Sequence, residues 1–207
     1  MPNRPSFTAV EKISMQAASF VGHTGWDNNP SLASLKDKIK NFGLIKTENR
    51  CCYCGRNIHG EFRMVIDIEH ILPKSIYPKQ MFKGKNLSVS CKRCNMNIKK
   101  SKVDFLDGID ANYTGKQLRS MHYKIIHPNL DKYDSHLLLI AGQVGRKVML
   151  KYSVVNGSAK GAFTYEYFKL DHLEKNSFDI AQGNQPRAEI ENPELQEAFN
   201  AIAPLNR

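Results

Sequence analysis

Residues 51–102 decide how this chain is read. The stretch opens Cys51-Cys52-Tyr53-Cys54-Gly55-Arg56, runs through Asp67-Ile68-Glu69-His70-Ile71-Leu72-Pro73 to Asn86-Leu87, and closes Cys91-Lys92-Arg93-Cys94-Asn95-Met96-Asn97-Ile98-Lys99-Lys100. Two Cys-x-x-Cys pairs bracket an acid–histidine pair. Each short loop presents two thiolates to one point, so Cys51, Cys54, Cys91 and Cys94 are expected to grip one tetrahedral zinc. Cys52 is the odd thiol, because Cys52-x-Cys54 lacks the spacing of the second pair. Zinc at this place would fix the strand carrying His70 relative to a helix that begins after Cys94.

Together these motifs resemble the HNH endonuclease family. Its ββα-metal core carries an acid–His pair, a central Asn and a terminal His or Asn, and many members add two zinc-binding Cys-x-x-Cys knuckles. The likeness implies that His70 is the catalytic base and that Glu69 and Asn95 hold a divalent cation, magnesium or manganese. It also implies that Asn86 holds the backbone near His70. This sequence departs from the pattern at the last position, where Asn95 stands for the histidine. Other readings stay open: Asp67 is a rival ligand, Asn86 a turn residue after Gly84-Lys85, and Asn95 a helix N-cap. The Cys-x-x-Cys start, the Glu-His strand end and the trailing His127-Pro128 look like the small nuclease component of Septu-type anti-phage defence pairs. That likeness implies a partner ATPase and conditional activity.

A chain of 207 residues can bury one good core, or one core and a small appended unit. The longest purely apolar run is 137–141, far too short to cross a bilayer, so no membrane partner is expected. Residues 1–5 lead into no apolar signal segment, and all five cysteines fall between 51 and 94. An odd count of clustered cysteines argues for a metal-bound quartet in a reducing cytoplasm rather than a disulfide framework. Net charge is +10, and between 71 and 102 there are nine Lys or Arg and no Asp or Glu. Such a block attracts a polyanion, and nucleic acid is expected, DNA favoured over RNA. Lys74, Arg93, Lys99 and Lys102 are the candidate phosphate contacts; the lysines at 36, 38 and 40 read as a solvated helix face.

The fold class expected is α+β, with a helical N-terminal segment at 1–46, a zinc-stapled ββα core at 47–105 and a mixed helix and antiparallel-strand region at 106–207. A short helix or arm over 9–21 precedes a helix opened by Pro30-Ser31, with Leu32, Leu35, Ile39 and Phe42 on one face and Gly43 as terminator. Alternation over 61–70 predicts a strand, which would put Glu69 and His70 on opposite faces unless it ends or bulges there. Residues 86–90 should form the second strand, and a helix should run from Asn95 to about 105, with Asn95, Lys99 and Lys102 on one face. Further on, a helix at 116–126, strands at 136–141, 146–155 and 161–170 with a hairpin at Asn156-Gly157, and a helix at 193–202 are expected. A zinc module that only binds nucleic acid, or a subunit that recruits a partner, would have no need for Glu69, His70 and Asn95 together.

Overall fold

The computed structural model describes residues 5–27, 29–108 and 118–176 and is mixed α+β with two small sheets. Its contacts divide the chain into two compact units, Met1–Lys132 and Tyr133–Arg207. The first therefore holds the N-terminal helices, the cysteines and the segment up to 132, whereas the sequence reading drew its boundaries at 46 and 105. Asn129 explains part of that: its side-chain amide donates to the carbonyls of Lys85 and Leu87, both at 2.9 Å. Among the described residues no helix is long and apolar enough to cross a membrane.

In the first unit, α1 (Ala9–Val21) opens on a capping box in which Thr8 and Glu11 satisfy each other's backbone N–H groups. Helix α2 (Ala33–Lys46) follows the turn at Pro30–Leu32. Leu32, Leu35 and Ile39 lie at helical spacing and are buried with Ala18, Trp26 and Met81. Full burial of each aliphatic side chain there contributes about 1.5–3 kcal/mol. Gly43 does not end α2. It is buried inside the helix, where an added Cβ would stand 2.6 Å from Val89 Cγ1, so it is a contact point rather than a terminator. Gly25 serves likewise at the carbonyl of Ala18, and seats Trp26 beside α1.

Strands β1 (Ile66–His70) and β2 (Leu87–Cys91) pair antiparallel, from Ile66 opposite Cys91 to His70 opposite Leu87. Strand β1 is half the expected length because Arg63–Val65 form a 3-10 turn. The helix after β2 also differs: it is a π-helix, Arg93–Lys99, closed by Lys100 with φ 53°. The Lys100 N–H reaches back five residues to the Asn95 carbonyl at 2.7 Å, so the turn is widened and the face expected for Lys99 is lost. Residues 109–117 are outside the described residues, and of the helix expected at 116–126 only Ser120–His122 form a helical turn among the described residues, a 3-10 one.

In the second unit, β3 (Leu137–Val144) and β4 (Lys147–Val154) form a hairpin through Gly145-Arg146, and β4 also pairs β5 (Lys175–Asn176). The expected third strand is instead α3 (Ala159–Tyr167). Asn156 and Gly157 both take positive φ, ending β4, and Ser158 then caps the helix by accepting from the Gly161 N–H at 3.1 Å. Phe163, Tyr165 and Tyr167 lent that segment a strand-like composition. The helix expected at 193–202 lies outside the described residues.

Candidate metal centre and cleft

The first knuckle forms because Cys51 and Gly55 close a tight turn, with the Gly55 N–H bonded to the Cys51 carbonyl at 2.9 Å and φ 65° at Gly55. The Cys52 N–H donates to the Val89 carbonyl at 3.0 Å, which fastens the knuckle to β2. Cys91 ends β2 and Cys94 sits in the first turn of the π-helix. The sulfurs of Cys51, Cys54, Cys91 and Cys94 are buried and lie within 4.8 Å of one another, those of Cys54 and Cys91 at 3.9 Å. A tetrahedral site with metal–sulfur bonds of 2.3 Å needs sulfurs about 3.8 Å apart, so the quartet fits a structural metal such as zinc. The Cys91 N–H points at Cys51 Sγ, 3.3 Å away, as expected where sulfur carries charge. Burial would lower the Arg56 guanidinium, yet the neighbouring Cys54 and Cys91 sulfurs hold it above its ordinary value. Cys52 stays outside the quartet, its thiol pushed up by burial.

His70 is buried at the end of β1 and lines a cleft of about 680 Å³ with Asp67, Trp26 and Asn95. Its Nε2 lies 3.1 Å from the Met81 carbonyl, which can only accept, so Nε2 carries the proton and Nδ1 the lone pair. The ring meets Trp26 edge to face at 4.6 Å. Burial, then the charge on Lys74, brings the imidazole from its ordinary 6.5 to about 3 and keeps it neutral. Asn86 is fully buried and staples the loop after His70: its Oδ1 accepts from the Leu72 N–H at 2.7 Å, and its Nδ2 donates to the Leu72 and Gln80 carbonyls.

Glu69 is elsewhere. Strand alternation prevails, and the carboxylate is 1 % exposed, facing the interior, with Tyr53 Oη at 2.9 Å and Lys99 Nζ at 2.8 Å. Burial pushes the carboxyl up, opposed by Lys99 and Tyr53. An ammonium group thus stands where the sequence reading put a divalent cation, and the Glu69–Asn95 pair does not fit one. The carboxylate that joins Asn95 is Asp67, with Asn95 Nδ2 donating to Asp67 Oδ2 at 3.1 Å; both line the cleft. Lys99 is corrected as well: it is 1 % exposed, donates to the His70 carbonyl at 2.9 Å, and offers no surface to a phosphate. Lys74 lines the cleft, 2.7 Å from Asp27, whereas Arg93 and Lys102 are not among its lining residues. Trp26, Lys36, Lys40 and Lys100 also line it. The sequence assigns Lys36 and Lys40 to a solvated helix face and gives Trp26 and Lys100 no role, since only the packing of α2 and the π-helix around β1 brings these four to His70.

No family model matches the chain, and no solved structure matches it. The chain is similar to the Septu protein PtuB of Bacillus thuringiensis, with 29% identity over 175 residues, or 84% of this chain and 54% of that protein. It spans about half the length of that curated relative.

Proposed function

We propose that this protein is a metal-dependent endonuclease of the HNH type that hydrolyses phosphodiester bonds in nucleic acid, DNA favoured over RNA, within a Septu-type anti-phage defence pair that includes a partner ATPase. The observation that carries the nuclease reading is the setting of His70: a neutral imidazole, its tautomer set by the Met81 carbonyl, in a lysine-lined cleft beside Asp67 and Asn95. The order β1, β2, helix beside a four-cysteine cluster supports it. The likeness to PtuB supports the defence role.

Nδ1 of His70 takes the proton of the attacking water, while Nε2 stays bonded to Met81 and Trp26 holds the ring plane. A phosphate in the cleft offsets the field of Lys74 and raises the proton affinity of His70 toward the range where proton transfer is efficient. Asn86 keeps the loop that bears Met81 in place. Asp67 and Asn95 are the oxygen donors that would hold magnesium or manganese, which neutralises charge on the phosphate and leaving oxygens when bound.

Plasmid nicking in magnesium or manganese, with the partner ATPase present, tests the reading. Wild-type protein should nick, and His70→Ala should lose about 10²–10⁴-fold in rate with zinc content unchanged. Equal cleavage by His70→Ala, or nucleic-acid binding without cleavage by wild type, overturns it; the second outcome is that of a non-catalytic zinc-stabilised binding or recruiting subunit.

A further inference from the structure

Positive charge reaches the cleft from outside the basic block at 71–102. Helix α2 carries Lys36, Lys38 and Lys40, and the fold gives them different surroundings. Lys38 faces α1, with Nζ 2.8 Å from the Glu11 carboxylate. Lys36 and Lys40, four residues apart and so on one helical face, line the cleft with His70. Lys36 Nζ stands 5.3 Å from the centre of the Trp26 ring, and Lys40 Nζ donates to the Arg63 carbonyl at 3.1 Å. Neither meets a carboxylate in a salt bridge among the described residues.

The acidic groups of the cleft are engaged by other partners. Asp27 is bound by Lys74 at 2.7 Å, Asp37 by Arg63 at 2.7 Å, and Asp67 by Lys92 at 3.3 Å and Asn95 at 3.1 Å. The charges of Lys36, Lys40 and Lys100 are therefore left over in a concave site beside the candidate base. Partial burial already lowers Lys36 and Lys40 below the ordinary lysine value, a penalty that a bound anion would relieve.

We infer that Lys36 and Lys40 are phosphate contacts on the α2 wall of the cleft, gripping the phosphodiester backbone of the strand presented to His70, and that Lys38 is not. This rests on the nucleic-acid reading above and extends it to a helix far from the motifs in sequence.

Binding of a short DNA duplex without divalent cation, measured by fluorescence anisotropy over a salt series, tests it on the full chain. The double variant Lys36→Gln/Lys40→Gln should bind more weakly, and its slope of log affinity against log salt should fall by about two. Lys38→Gln, which breaks only the Glu11 pair, should keep the wild-type slope; equal zinc content and melting temperature confirm folding. In nicking assays the double variant should raise KM and leave kcat nearly unchanged. An unchanged slope in the double variant, an equal loss in Lys38→Gln, or equal competition by polyglutamate, the signature of an acidic-peptide site, overturns the assignment. The two readings fail separately. Wild-type nicking with an unaltered double variant sinks only the lysine contacts; a reduced salt slope in a protein that never nicks sinks only the nuclease.

Discussion

Glu69 and His70 are consecutive in β1, yet they belong to different regions of the protein. On the Glu69 side, the carboxylate, the Tyr53 hydroxyl and the Lys99 ammonium form a closed polar chain next to the cysteine quartet, sealed from water. On the His70 side, the neighbours are Trp26, Asp67, Asn95 and half-buried lysines around an open cleft. On the sealed side Tyr53 and Lys99 both engage Glu69 Oε1 while Oε2 is buried without a hydrogen-bond partner among the described residues, so this burial bears on whether the unit folds. The open side leaves Lys36 and Lys40 without a salt bridge among the described residues, and it is the side on which the proposed binding rests. One strand thus separates a closed region from an open one.

The largest expected effect breaks the sealed side at the cysteine quartet. Cys91→Ala removes one of four thiolates, and structural zinc binding is worth about 10–16 kcal/mol to a small domain. Zinc analysis and circular dichroism should show lost metal and an unfolded first unit, whereas Cys52→Ala should keep both. Retained zinc in Cys91→Ala would mean that the quartet is misassigned.

A smaller effect is expected at Lys99. Lys99→Met leaves Glu69 buried without a counter-ion and should cost about 3–5 kcal/mol in urea denaturation. Adding Glu69→Gln should recover most of it, since the pair is then removed together. If Lys99→Met cost under about 1 kcal/mol, the ammonium would not be confined as described.

The smallest effect sharpens the open side. The imidazole of His70 is held at about 3 against an ordinary 6.5, so the unfolded chain binds the proton first on acidification. Its contribution is therefore fully present above pH 6.5 and is lost as pH falls toward 3, by at most about 1.4 kcal/mol per unit. Comparing wild type with His70→Gln between pH 7 and pH 5 separates this from acid loss of zinc, which both share. Parallel curves would show that the ring is not desolvated.

How much of this was legible in the sequence follows from the range of each interaction. The cysteine quartet could be read because its ligands come in short pairs, and the staple made by Asn86 was expected from the family likeness. Glu69 was misplaced because adjacency was given more weight than alternation, although the apolar residues around it already carried the period. Lys99 was misplaced for a different reason. Nothing in Cys94-Asn95-Met96-Asn97-Ile98-Lys99 marks a π-helix, and one wider turn swings a lysine from surface to interior. Lys36 and Lys40 could not be told from Lys38 at all, since their difference lies in Glu11, Arg63 and Trp26, which the chain brings to them from either side. The strand expected at 161–170 failed on a local signal, because Ser158 as a cap outweighed aromatic residues that suit either state.

The close approach at Gly43 acts as a gauge for the cleft. Val89 is fully buried at the centre of β2 and, being β-branched, has little freedom to turn aside. The distance between the helix and the sheet is thus set by a hydrogen atom where other residues carry carbon. Lys40 lies one turn earlier on the same rigid rod, and His70 lies on the strand paired with β2. A single methyl group at position 43 would lift the helix and widen the jaw between ammonium and imidazole, without touching either.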